Sequence, residues 1–502
     1  MSECDGFLAV SDQFKLGMLM TEMQHPLTKN LAQIAKTNLS GAIELCNEVD
    51  IGALQKLKIY QSKFTALINE IQQTLESGHR IFLVGCGATG RLSLCLESWW
   101  RRRNPGNEQV RGLLAGGDLA LIHSLEKAED YPEFGKRHLI EANLKTQDLV
   151  IGITEGGETS YVIGAVNFAS EFCEKNPFIL YCNEDPILEM LAARSAAFIA
   201  NKKVRNISLP IGPMTLSGST RMQASTVLQL VVGEALIGNN IAQSCDLLIS
   251  RLNDKTRSES LKKMILLESE HYKKSGFITY QCSGDLGMTI LTDTTERAPT
   301  FGVNGLENIL EQTPFSLANV SIENAIDANN SFELIIGRSA HPLEWSDFNG
   351  RAGKKRLLGF DLSQNNLSRR QNHLQNHLGV KISRFQNRYE IQFGRTPIVI
   401  ASTFNADSIL DLIDFKMFLN THSTLVMGII GRYESNVMTW VRPNNYKLID
   451  RTIRYASMLL EGHRKSFPYN EMAQTLFEIK SQTGESESVV EKLVSKLLEK
   501  EC

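Results

Sequence analysis

Apolar runs long enough to span a bilayer are missing from this 502-residue chain. Its opening residues, Met1-Ser2-Glu3-Cys4-Asp5-Gly6-Phe7, do not pair a basic leader with an apolar stretch. The expectation is a cytoplasmic protein with no membrane partner. Charge of one sign is also missing. The 53 Lys and Arg against 56 Asp and Glu leave a formal net charge of -3, so the broad basic footprint of a nucleic-acid binder is lacking. The densest cationic stretch, Trp99-Trp100-Arg101-Arg102-Arg103, stands just before Asn104-Pro105-Gly106, where cations complement the carbonyl end of a helix. The nine cysteines are an odd, scattered set with no C-x-x-C pair, which reads as reduced thiols. His373 and His377 have i,i+4 spacing but no general-base Glu between them and no obvious third ligand, so no metal and no cofactor is expected. A G-x-S-x-G nucleophile elbow is absent too.

What is present is a repeated α/β grammar. Arg80-Ile81-Phe82-Leu83-Val84 reads as a strand, followed by strand-like runs at 109–114, 148–154, 177–182 and 206–210, with room for crossover helices between most of them. Such nearly continuous apolar strands belong to a parallel sheet buried on both faces. The pattern restarts at Phe277-Ile278-Thr279-Tyr280-Gln281-Cys282, with further strand-like runs at 332–336, 356–360 and 397–401, as an internal duplication would give. The predicted organisation is a helical segment over 1–74, an α/β domain over 75–245, a helical connector over 246–274, a second α/β domain over 275–430 and a helical lid over 431–502. At roughly 100 to 200 residues per domain, the length itself requires more than one.

Three loops of the first α/β domain are rich in Gly, Ser and Thr and follow strand-like runs. They are Gly85-Cys86-Gly87-Ala88-Thr89-Gly90-Arg91, Thr154-Glu155-Gly156-Gly157-Glu158-Thr159-Ser160, and Gly212 through Leu216-Ser217-Gly218-Ser219-Thr220-Arg221. At the carboxyl edge of an open sheet, helix N-termini offer N–H groups to an anion and hydroxyls add donors without charge. The loops therefore suit a phosphate cradle. Two other readings stay open: a dinucleotide site, for which no convincing ribose-binding acid follows the second strand, and plain tight turns that need glycine. The first loop lacks the G-K-[ST] ending of a nucleotide-triphosphate P-loop.

In order and spacing, Gly85 to Arg91, the segment from Ala115-Gly116-Gly117 to Glu129-Asp130, and Leu216 to Arg221 resemble the first sugar isomerase (SIS) domain shared by N-acetylmuramic acid 6-phosphate etherase and glucokinase regulatory protein. The likeness continues in His25-Pro26-Leu27-Thr28-Lys29-Asn30-Leu31, in Leu286-Gly287 to Phe301-Gly302, and in Leu419-Asn420-Thr421 through Tyr446-Lys447-Leu448. It implies two tandem SIS domains, each a doubly wound parallel sheet flanked by helices, that bind a hexose or amino-sugar phosphate. The implied ligand-binding residues are Gly87, Ala88, Thr89, Gly90, Arg91, Thr154, Gly156, Ser219, Thr220 and Arg221. A sugar-reaching carboxylate is implied at Glu129, and Arg464 or Lys465 is the basic residue contributed by the lid.

Departures from the family pattern bear on mechanism. The etherase's second carboxylate falls here on Trp99, but Leu291 to Gly302 resembles the segment that carries it, with Glu296 in its place. A fused pseudo-dimer would set Glu296 across from Glu129 in one composite site, so the chain is expected to act as a monomer. The glycine loop of the second domain carries Asp285 where an anion would sit, which disfavours a second phosphate site. Glu158 and Gln223 stand where the etherase has Arg and Lys. These replacements and the full-length architecture favour a sensor of a fructose phosphate or related hexose phosphate, with a sugar kinase as the controlled partner. The alternative is a carbon–oxygen lyase of the etherase type with Glu129 and Glu296 catalytic.

Overall fold

A computed structural model describes residues 3–484 and 487–500; Cys502 lies outside them, and none of the other eight cysteines is in a disulfide. Strands β1 (Ile81–Gly85), β2 (Val110–Leu114), β3 (Leu149–Ile153), β4 (Phe178–Tyr181) and β5 (Arg205–Ser208) form a wholly parallel sheet in the order β2-β1-β3-β4-β5. β1 and β3 are buried at every position, which is why they read as unbroken apolar runs. The winding direction reverses between β1 and β3. Loops at the carboxyl ends of such a pair splay apart and open a crevice.

The second sheet contains β6 (Phe277–Cys282), β7 (Ala318–Ile322), β8 (His377–Phe385), β9 (Arg388–Phe393) and β10 (Thr396–Ala401), in the order β10-β9-β8-β6-β7. β6 runs parallel to β7 and β8, whereas β8, β9 and β10 form an antiparallel meander. The second half is thus a mixed sheet. Two segments expected as strands are helical. Phe332 to Ile336 closes the helix Ala328–Ile336, which starts where Asp327 accepts from the Asn330 N–H at 2.8 Å and stops at Gly337 with φ of 83°. In the second, 356–360, Arg356 and Leu357 end the helical turn Lys354–Leu357 and the remaining residues continue as a turn. The strands β8 and β9 escape a search for apolar runs because meander strands keep one face in water and alternate in burial.

The helices that shape the interior are α1 (Gly87–Arg103), α2 (Gln223–Leu236), α3 (Lys255–Lys273), α4 (Gly284–Phe301), α5 (Ile409–Ile429) and α6 (Tyr446–Gly462). α1 follows β1 as α4 follows β6, and these equivalent helices of the two halves pack on one another. Ionic ties reinforce the joint. The guanidinium of half-buried Arg338 spans the buried carboxylates of Glu97 of α1 (2.8 Å) and Asp118 (2.5 Å). The cationic run that ends α1 is absorbed the same way: Arg101 pairs with Glu97, and Arg102 donates to the carbonyls of Gly284 and Ile335. α5, apolar along most of its length, packs against α2, α3 and α4 and so joins the halves from the other side. His373 and His377, the i,i+4 pair, end a helix and open β8, bonded to the Arg369 carbonyl and the Thr279 hydroxyl respectively. Among the described residues, no helix is long and apolar enough to cross a membrane.

Candidate functional site

The crevice above β1 and β3 leads into a cavity of about 310 Å³. Its floor is built from three loops. In the first, Gly85 and Gly90 let the backbone double back on itself: a Cβ on Gly85 would lie 2.5 Å from the Gly90 nitrogen. The turn is locked by Thr89, whose hydroxyl accepts from the Cys86 N–H (3.2 Å) and donates to the Cys86 carbonyl (2.9 Å). Gly87 and Ala88 thereby open α1 toward the cavity with the N–H groups that a helix start offers an anion. In the second loop the Thr154 and Thr159 hydroxyls bond each other at 3.0 Å, and in the third Gly218, Ser219 and Thr220 face the same space.

The remaining walls come from far along the chain. Glu129 stands just before the helix Pro132–Glu141, and Glu296 reaches in from α4 of the second half. Arg91, buried in the second turn of α1, pairs with Glu296 and spends its other donors on the Leu121 and Ala120 carbonyls and the Ser124 hydroxyl. Lys447, at the start of α6, bridges Glu129 (3.0 Å) and Glu158 (2.6 Å), and one helical turn on Arg451 pairs with Glu22. Burial alone would raise the Glu158 carboxyl, but Lys447 and Arg194 outweigh it and hold the group down. Glu22 is likewise held at about 2 against its burial by Arg451 and Arg454. Glu155 has no such cation of its own. Burial, with Glu22 nearby, pushes it up to about 8.

Of the residues singled out from the sequence, Gly87, Ala88, Thr89, Arg91, Glu129, Thr154, Gly156, Ser219, Thr220 and Glu296 line this one cavity. Four others do not. Gly90 is packed against the Gly85 carbonyl and the Leu114 side chain. Arg221 points away into the joint between the halves, where it pairs with Asp293 (2.6 Å) and donates to Ser423 (2.9 Å) and Thr424 (2.7 Å). Arg464 and Lys465 lie exposed beyond the far end of α6. At 1.5 Å per residue they are roughly 25 Å along the helix axis from Lys447. The cations that the C-terminal segment does present, Arg442, Lys447 and Arg451, carry no such signal in the sequence, although Lys447 falls inside the segment Tyr446-Lys447-Leu448 that carries the resemblance. Gln223 is also withdrawn: it holds the third loop through Thr215 and reaches Asp50 at 2.7 Å.

Three buried polar atoms of residues on the cavity lining have no partner: the Ser219 hydroxyl, one oxygen of Glu155 and the Trp440 indole nitrogen. An unmet buried polar group costs about 1–3 kcal/mol, so these are groups that a ligand or an ordered water would satisfy.

Residues 63–170 match the family model of the glucokinase regulatory protein N-terminal SIS domain. An N-acetylmuramic acid 6-phosphate etherase from Francisella philomiragia is 32% identical over 217 residues, which covers 42% of this chain and 67% of the relative. The chain belongs to the N-acetylmuramic acid 6-phosphate etherase family. An etherase of this family from a Nostoc species is 31% identical over 228 residues, covering 44% of this chain and 68% of that one. The etherase of Rhodopirellula baltica is 28% identical over 302 residues, 57% of this chain and 91% of its own. Among solved structures, tagatose-6-phosphate ketose/aldose isomerase from Escherichia coli is similar with a TM-score of 0.44 at 14% identity, over 80% of this chain and 96% of that one.

Proposed function

We propose that the cavity binds an amino-sugar phosphate and that the protein is a carbon–oxygen lyase removing lactate from N-acetylmuramic acid 6-phosphate. The observation that carries the reading is that Glu129 and Glu296, contributed by different halves of the chain, line the same cavity as the phosphate-type loops. In this scheme the phosphate rests on the amides opening α1 and on the Ser219 hydroxyl, while the Thr220 hydroxyl is spent on Glu155. One carboxylate takes the C2 proton and the C3–O bond breaks. The other carboxyl gives a proton to the departing lactate oxygen, and water adding at C3 restores the sugar. The products are lactate and the amino-sugar phosphate.

The cation question that favoured a sensor on sequence grounds has a structural reply. A substrate with both phosphate and lactyl carboxylate needs positive partners, and the loop has Glu158 where etherases have Arg. Lys447 from α6 bridges Glu158 and Glu129 and so offsets the carboxylate that stands in place of the Arg.

The second reading is a sugar-phosphate sensor, like glucokinase regulatory protein, that controls a sugar kinase. It is favoured by the family-model match over residues 63–170 and by the ion pairs that already engage both carboxylates. Incubation with N-acetylmuramic acid 6-phosphate separates the two: lactate release supports the lyase, whereas tight binding of fructose phosphates without turnover supports the sensor.

A further inference from the structure

Glu155 follows β3 and is 8% exposed. One carboxyl oxygen accepts from the Thr220 hydroxyl; the other is buried on the cavity lining with nothing to bond. The Ser219 hydroxyl, 3% exposed and adjacent in sequence to Thr220, is unmet on the same lining. The groups around Glu155 leave it no counter-ion. Glu22 faces it from the N-terminal segment and consumes Arg451, while Lys447 is committed to Glu129 and Glu158. Cys182, beyond β4, has its own thiol pushed up by burial and by Glu155.

A carboxylate with one naked buried oxygen would repel an anion lodged on the loops beside it. A carboxylic acid there is a hydrogen-bond donor without an acceptor, as the Ser219 hydroxyl is. A phosphate oxygen would satisfy both.

Resting on the reading of this cavity as a sugar-phosphate site, we infer that Glu155 binds as the neutral acid and donates its proton to the ligand's phosphate beside Ser219. Phosphate capture is therefore linked to a proton on the protein. The upward displacement of Glu155 to about 8 agrees, because the acid then predominates at neutral pH and is lost above it. A phosphate monoester is fully dianionic well above pH 6, so from pH 7 upward the ligand does not change and Glu155 does.

The test measures the Kd of N-acetylglucosamine 6-phosphate, which has the phosphate but no lactyl ether to lose, by calorimetry between pH 7 and pH 9. Wild-type affinity is expected to fall about tenfold over that interval. Glu155→Gln, neutral at every pH with an N–H donor in the same place, is expected to bind at pH 9 about tenfold more tightly than wild type, with a flat profile. Glu155→Leu, neutral without a donor, is expected to be flat but weaker than Gln at every pH. A protonated-carboxyl infrared band at pH 7 that disappears in Glu155→Gln is the independent readout. Equal pH slopes in wild type and Glu155→Gln, or absence of that band, overturn the inference while leaving the sugar-phosphate site standing. Failure of the ester to bind either protein at any pH overturns both.

Discussion

Arg91 of the first half is paired with Glu296 of the second, 205 residues further along the chain. Arg91 is 1% exposed and Glu296 13%, so the bond fixes a carboxylate at the cavity wall and simultaneously ties α1 to α4. Under the proposed lyase reading, one of the two carboxylates is thus positioned by the helix that follows the first glycine-rich loop of the other half.

Breaking that pair should be costly. Arg91→Met leaves the Ala120 and Leu121 carbonyls and Glu296 without their donor. Removing one partner of a buried ion pair costs about 3–5 kcal/mol. Denaturant unfolding is expected to show that loss. Arg91→Lys, which keeps the charge but not the fork of donors, should recover only part of it.

The Ser219 hydroxyl should contribute to ligand binding and little to folding. Because it has no protein partner, Ser219→Ala is expected to leave unliganded stability unchanged or slightly raised. A hydrogen bond to a charged group is worth about 1.5–3 kcal/mol, so N-acetylglucosamine 6-phosphate should bind at least tenfold more weakly to the variant, measured by calorimetry.

Sugar phosphates should stabilise the fold where sugars do not. At one hundred times its dissociation constant, N-acetylglucosamine 6-phosphate is expected to add about 2.7 kcal/mol, and N-acetylglucosamine at the same concentration nothing. Equal shifts in melting temperature would mean that the loops do not read the phosphate.

Stability should depend on pH from both sides. Glu22 and Glu158 are held low, Glu22 at about 2 against an ordinary 4.5, by Arg451 and Arg454 in one case and Lys447 and Arg194 in the other, although burial opposes both. The unfolded chain binds protons more readily at these positions, so their contribution is complete above pH 4.5 and lost as pH falls toward 2. Glu155 works in the opposite sense: raised by burial to about 8, it retains its proton when folded, and stability declines as pH rises from 4.5 to 8. Melting curves of Glu22→Gln should lose part of the acid limb, and those of Glu155→Gln part of the alkaline one.

Much of the first half was legible in the sequence because its strands are buried on both faces and its loops carry the glycines that a close backbone approach demands, as at Gly85 and Gly90. Glu129 and Glu296 were reached through a resemblance, since no periodicity reveals that two carboxylates from separate halves share a cavity. The second sheet was misread where apolar composition does not decide between states: Phe332 to Ile336 is helical because Asp327 caps one end and Gly337 stops the other. Arg221 looked like a phosphate ligand beside Ser219 and Thr220, yet its partner Asp293 lies 72 residues away on α4. Arg464 and Lys465 lie at the end of α6 remote from the cavity, because which end of a helix meets a cavity is a tertiary fact that the sequence does not carry.

The most direct measurement is lactate release from N-acetylmuramic acid 6-phosphate by the purified full-length chain, beside Glu129→Gln and Glu296→Gln. General acid–base groups contribute about 10²–10⁴-fold, so each variant should lose at least about a hundredfold in turnover while still binding N-acetylglucosamine 6-phosphate. No lactate from the wild-type chain, together with tight binding of a fructose phosphate, would contradict the lyase account and leave the cavity as that of a sensor.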